Sequence, residues 1–346
     1  MKSLKMASAL LALLAVAGIA FVAQQTETSG AGMVAAADGF VGSLTADQKK
    51  QAIFAYDSDE RFNWNFIPLQ DKETRKYTRK GLPLEEMTAD QKKAALALVK
   101  AGTSESGYLS VTTIMSLEAI LLDQEGKKSA MVRNPGWYFF TVFGTPSKTG
   151  KWGWRVEGHH LSLNFTMEGT QVVASTPCFF GANPAMVMSG ADKGKRILPQ
   201  SEDHARDLFK SLDADQKKLA LQEKAFDEPG QKTKTPKLGN AVGLASSKMT
   251  KEQNAILYTL VKSYTERLPK DIAALEWKAV NEGGFDKIHF AFTGSAEGPG
   301  KGFTYRVQGP SFVIEFLNIQ ADSGKNPANH IHSCWRRITG DFGLKG

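Results

Sequence analysis

Two of the six histidines stand at alternate positions in a single run, His330 and His332 in "NHIHSCWRR" (329–337). On a β-strand, residues i and i+2 point to the same side. Two imidazoles so placed can share one transition metal, since imidazole nitrogen binds zinc, copper, iron and nickel alike. A His-x-His pair that only packs and hydrogen-bonds is the plainer alternative. A second pair, His159 and His160, follows Gly158 in "RVEGHHLSLNF". Adjacent residues of a regular strand face opposite sides, so one of these two at most joins the same site unless the backbone bulges there.

A carboxylate is the natural companion. Glu315 stands alone among apolar residues in "SFVIEFLNI", where an unpaired charge is expensive to bury. It is the candidate metal ligand, general base or orienting group. An ion pair with Arg155 or Arg306 is its competing assignment. Arg155, Arg306 and Arg336 are the candidate contacts for an anionic substrate, because guanidinium matches carboxylate and phosphate geometry. His204, in "SEDHARDLF", reads as solvated. His289, alternating with apolar residues in "KIHFAF", reads as an ordinary strand residue. No phosphate-binding glycine loop, no Gly-x-Ser-x-Gly elbow and no His-Glu-x-x-His helix occurs in the chain.

The elements that must position these residues repeat along the chain. "LTADQKK" (44–50), "MTADQKK" (87–93), "LDADQKK" (212–218) and "MTKEQNA" (249–255) each read as a helix start, with a Thr or Asp cap and an acid in the first turn. The strands repeat too. "WRVEGHHLSLNF" lies over "YRVQGPSFVIEF", setting Arg155 on Arg306, Gly158 on Gly309 and Asn164 on Glu315. Pro310 and Ser311 then stand where the first copy has His159 and His160. The reading is an α+β fold with a pseudo-twofold internal repeat, each half being helices followed by an antiparallel β-hairpin or sheet. Residues 38–200 form the first repeat and 201–346 the second, packed as one globular unit, with two related sheets meeting near the axis. Residues 228–240, rich in Lys, Gly, Thr and Pro, read as a loop.

At the start, Lys2 and Lys5 precede the apolar run 7–23, the pattern of a secretory signal. Cleavage is expected after Ala23 or within 35–37, so that residues 1–37 comprise the signal and a flexible segment. An uncleaved anchor is the alternative. Periplasmic or secreted location follows, with no stable membrane insertion after cleavage. Export makes a disulfide between Cys178 and Cys334 the expectation. They hold comparable places in the two halves, and free buried thiols or a copper-ligating Cys334 remain open. The formal charge is +7, but the lysines are scattered with no basic stripe, which argues against nucleic acid as a partner.

The strings "RVEGHHLSLNF", "TPCFFGANPA", "YRVQGP" and "NHIHSCWR" with the following "GDFG" resemble a bacterial family of unknown function, DUF3500, over roughly residues 40–343. The resemblance implies an exported or otherwise uncharacterised bacterial protein and brings no activity with it. Arg337 stands where the family usually has an acid, and Leu317 where it has an aspartate, which puts any role of those acids in doubt here. The expectation is an exported metal-dependent enzyme, a hydrolase or an oxidoreductase, with copper, zinc or iron and a small-molecule substrate. A non-catalytic metal- or ligand-binding protein and a purely structural role are the alternatives.

Overall fold

The computed structural model describes residues 28–344. The signal-like run and its first cleavage point, after Ala23, lie outside the described residues. The second cleavage region does not. Residues 29–37, expected to be flexible, belong instead to helix α1 (Ser29–Ser43), whose Met33, Val34, Ala37 and Phe40 are buried. A cut within 35–37 would divide a helix that contributes to the core.

The four repeated motifs all start helices: α2 (Ala46–Ala52), α3 (Ala89–Gly102), α6 (Ala214–Ala220) and α7 (Lys251–Thr265). Thr45, Thr88, Asp213 and Thr250 cap them, and in each the glutamine three residues on reaches back to the cap's N–H. Two otherwise orphaned amides per helix are thereby satisfied. The glutamines then clasp in pairs. Gln48 and Gln91 donate to each other's side-chain oxygens at 3.1 and 2.7 Å. Gln216 and Gln253 do the same at 2.9 and 2.7 Å. The remaining helices are α4 (Glu105–Glu125), α5 (Pro199–Ser211) and α8 (Lys270–Gly283). α1 packs on α3, and α5 on α7.

The strands are β1 (Ile53–Phe54), β2 (Leu82–Pro83), β3 (Phe139–Phe143), β4 (Lys151–Gly158), β5 (Leu161–Glu168), β6 (Gln171–Ala174), β7 (Cys178–Ala182), β8 (Leu244–Ala245), β9 (His289–Gly294), β10 (Phe303–Gln308), β11 (Phe312–Gln320) and β12 (His330–Arg337). They form one mixed sheet in the order β1-β3-β4-β5-β7-β12-β11-β10-β9-β8, with β2 on β3 and β6 on β5. Only β1 and β3 run parallel among these pairs; the others are antiparallel. The expectation of two sheets meeting at an axis is corrected here. Backbone hydrogen bonds between β7 and β12 join the halves into a single sheet.

Strand alternation gives that sheet two unlike faces. Trp154, Val156, Leu163, Phe180, Ile314 and Trp335 belong to the main core, which the helices cover. The other parity carries Arg155, Glu157, Asn164, His332, Glu315 and Arg336, which share one face by cross-strand register. That polar face is covered by loops and by a small cluster of Trp64, Phe66, Phe179, Cys334 and Phe342.

The same parity rules out the expected disulfide. Cys178 pairs across to Trp335, whereas Cys334 pairs across to Phe179. The two cysteines therefore occupy adjacent strands but opposite faces, with the sheet between their sulfurs. Both are free and buried.

Candidate metal centre

His159 and His160 are not strand residues. They are the two central residues of the tight turn between β4 and β5, where Gly158 pairs with Leu161. His160 takes the left-handed backbone, φ +61°, that the third position of such a turn requires. Its N–H donates to the Phe66 carbonyl at 2.8 Å, and its own carbonyl accepts from Gly181 N–H at 2.8 Å. To reach β12, the His160 ring must pass over β7. Gly181 makes this passage possible: a Cβ there would lie 3.1 Å from His160 Cδ2 and 2.7 Å from the Ile331 carbonyl oxygen.

His332 lies directly across from Gly181 on one side and from Leu317 on the other. His330 begins β12, where the β11 register shifts between Leu317 and Gln320, and Asn318 Oδ1 accepts its N–H at 3.0 Å. Three imidazoles then converge through their Nε2 atoms. His160 Nε2 is 2.8 Å from His330 Nε2 and 3.2 Å from His332 Nε2. Three nitrogens bound tetrahedrally to one ion at zinc–nitrogen length stand ~3.3 Å apart. The two separations from His160 are thus within about half an ångström of that value, and with all their ligand nitrogens within 4.8 Å of one another His160, His330 and His332 form a group of potential metal ligands.

The protonation states fit the same assignment. Burial, followed by the neighbouring imidazoles, holds His160 well below the ordinary histidine range. Burial and then His332 bring His330 down to about 3. Both rings are neutral near pH 7, the form that binds metal. His332 donates from Nδ1 to the Glu228 carboxylate, leaving its Nε2 lone pair aimed at the other two rings. An outer carboxylate that orients a ligating histidine is the usual support of a metal site. Glu228 in turn accepts from Gln320 Nε2 at 2.9 Å. Phe66 stacks on Phe179 with ring centroids 3.8 Å apart and closes one wall 5.1 Å from the His332 ring.

Several expected participants stand elsewhere. The His159 ring lies over His160 with centroids 3.8 Å apart, but its Nδ1 faces Glu118, and Arg133 Nη1 lies 3.3 Å from it. It is outside the converging group. Glu315 shares the polar face but is held by Arg306 at 2.7 Å, and burial pushes its carboxyl up. It faces the β10 arginine two residues along β11 from the position opposite His332.

None of the three arginines is free for an anionic substrate. Arg155 is fully buried and donates to Glu60 at 2.7 Å. Arg306 is taken by Glu315. Arg336 is 1% exposed and donates to Asp341 at 2.7 Å and Thr233 at 2.8 Å. Arg79, missed in the sequence, donates to Glu157 at 2.7 Å, and Glu157 accepts the Asn65 N–H at 3.0 Å. These ion pairs pin the 59–68 segment, and so Phe66, over the polar face. Cys334 packs among aromatic rings, its thiol pushed up by burial, and is no ligand. His289 Nδ1 bonds to the Lys287 carbonyl at 3.0 Å, as an ordinary strand residue can.

The two departures from the family pattern also have places. Arg337 donates to Glu276 at 2.8 Å on the helix-covered face. Leu317 is buried opposite His332, so an apolar wall stands where the resemblance implies an acid. Glu228 itself carries no periodic signal; "FDEPGQ" reads only as a loop.

The three histidines floor a cleft of about 360 Å³, walled by Phe66, Ile67, Pro68, Met131, Arg133 and Asn183. This size suits a small organic molecule. Three protein nitrogens with an open side leave a coordination position for water or substrate. Comparisons with curated proteins and with solved structures give no match. A family model described as "Protein of unknown function (DUF3500)" matches residues 26–344, nearly the whole length, and the chain belongs to that family.

Proposed function

We propose that this is an exported metal-dependent enzyme, a hydrolase or oxidoreductase acting on a small molecule in the cleft above His160, His330 and His332. The observation that carries the reading is the convergence of ligand nitrogens from three imidazoles within 4.8 Å of one another. Nitrogens so close need a shared proton or a cation between them, and only a cation serves all three at once. Zinc, copper and iron all accept three imidazoles. Bound there, the metal would supply Lewis acidity toward a water or substrate oxygen. The chain's own residues orient the site: Glu228 fixes the His332 tautomer, Gly181 admits His160, and Phe66 limits water. Export rests on the signal-like run 1–23. Among the described residues, no helix is long and apolar enough to cross a membrane.

The reading extends to the architecture. Residues 38–200 and 201–346 are two repeats about a pseudo-twofold axis between β7 and β12. The repeated glutamine clasps and the mirrored strand order support it.

The test is elemental analysis of the protein purified from an exported preparation without chelators, beside the His330→Ala/His332→Ala double variant. About one equivalent of a transition metal is expected in the wild type and none in the variant, and the ion found selects between hydrolysis and oxidation. Absence of metal from both, after reconstitution with zinc, copper and iron, would overturn the reading. Metal held without turnover of any substrate class would leave a binding protein.

A further inference from the structure

We propose that a second site lies on the helix-covered side of the sheet: the cavity between α4, α5 and the turn after α7 binds the phosphoryl group of a small molecule, and Arg267 is its principal contact. It stands apart from the three histidines, which occupy the opposite face.

The cavity measures about 280 Å³, and Arg267 lines it together with Ser106 and Ser110 of α4, Leu198 and Gln200 at the start of α5, and Ser263 of α7. Arg267 is 7% exposed, yet no carboxylate among the described residues pairs with it. A charge so buried without a counter-charge is expensive and calls for an explanation. Its Nη2 donates to Ser201 Oγ, and its Cζ lies 4.9 Å from the Phe180 ring centroid and 4.7 Å from that of Tyr264. Nε and Nη1 have no partner among the described residues. They are not sealed off, as the unpartnered Nε atoms of Arg61, Arg155, Arg206 and Arg306 are. A molecule in the cavity can therefore reach them. The nearby acids are already engaged. Glu202 receives Arg196 at 2.8 Å and Arg206 at 3.0 Å, and Glu266 receives Lys262 at 3.1 Å.

A second feature points to the same ligand. Ser201 belongs to the first turn of α5, so the guanidinium stands beside that helix's N-terminus. Leu198, in the cap position, has left-handed backbone at φ +57° and offers the helix no side-chain acceptor. A helix N-terminus carries partial positive charge and open N–H groups, and it favours an anion there. The guanidinium fork matches two oxygens of a phosphoryl group. A carboxylate has two coplanar oxygens, which one such fork satisfies. A tetrahedral phosphoryl group can meet the fork and the helix end together. The volume lies at the lower end of small-molecule cavities, which suits a phosphate ester with a short body.

The experiment is calorimetric titration at low ionic strength with inorganic phosphate, glycerol 1-phosphate and acetate, for wild type, Arg267→Met, Gln200→Glu and His330→Ala/His332→Ala. Wild type is expected to bind a phosphoryl probe at least about tenfold more tightly than acetate. Arg267→Met should weaken that binding by at least about tenfold. Gln200 is exposed, so Gln200→Glu folds even if the buried substitution does not. Its new carboxylate should weaken phosphoryl binding by about fivefold through repulsion. The double histidine variant should bind as wild type does, because the sheet separates the two sites. Tighter binding of glycerol 1-phosphate would identify a small phosphate ester as the ligand, and equal or weaker binding would identify free phosphate. No phosphoryl binding at millimolar concentration, acetate bound as tightly, or an affinity unchanged in Gln200→Glu and in any folded Arg267→Met would overturn the proposal. Loss of binding in the double histidine variant would place the anion on the metal and overturn it as well.

Discussion

At Gly158–Leu161 the chain turns from β4 into β5, and at Gly309–Phe312 it turns from β10 into β11. The two turns have much in common. Each follows a glycine, and the carbonyl of each second turn residue accepts a backbone N–H from a neighbouring segment: His160 from Gly181, Ser311 from Ile338. They differ in what they present. The first places His160 over β7 toward two histidines. The second places Ser311 against α8, where its Oγ donates to the Ala279 carbonyl at 2.9 Å. Shared scaffolding therefore does not produce shared chemistry. The first turn becomes a site because β12 offers His330 and His332 and because Gly181 leaves the path open. β12 carries both of those imidazoles, and β7, its neighbour across the centre of the sheet, carries Phe179 and Gly181 on the same face.

The sharpest way to break this comparison is Gly181→Val. The new Cβ would collide with the Ile331 carbonyl and the His160 ring. Metal content should fall from about one equivalent to near zero, with a stability loss of about 1–3 kcal/mol from overpacking. Ser311→Val in the other turn should leave the metal in place. Full metal occupancy in Gly181→Val, measured by elemental analysis, would show that His160 is dispensable.

A smaller effect is expected from Glu228→Gln, which keeps the shape of the side chain and removes its charge. Loss of the carboxylate that orients His332 should weaken metal binding by about 10- to 100-fold, read by chelator competition. Unchanged affinity would reduce Glu228 to a loop residue that happens to touch the ring.

The smallest effect tests what the halves share. Gln91→Ala and Gln253→Ala each remove one capping-box partner and one half of a clasp. Each should cost about 1–2 kcal/mol, and the two losses should agree within about 0.5 kcal/mol. Urea midpoints that differ by much more would mean that the halves are alike in motif but not in energetics.

The local features were legible because neighbours in sequence determine them. Thr45, Thr88, Asp213 and Thr250 cap helices through residues only three positions away, and strand alternation sets His330 and His332 on one face. The repeated motifs announced the α+β elements for the same reason. What the chain order of strands decides was not legible. β5, β7 and β12 lie side by side, so His160 meets residues 170 positions later, and nothing within either segment encodes that pairing. Hence Glu315, an isolated acid among apolar residues, looked like the site's carboxylate. The register gave it to Arg306, and the loop residue Glu228 supplies the carboxylate to His332. Register parity likewise separated Cys178 from Cys334: the sequence by itself determined which side chains alternate along each strand, and only the tertiary pairing of β7 with β12 decided that these two sulfurs face away from each other.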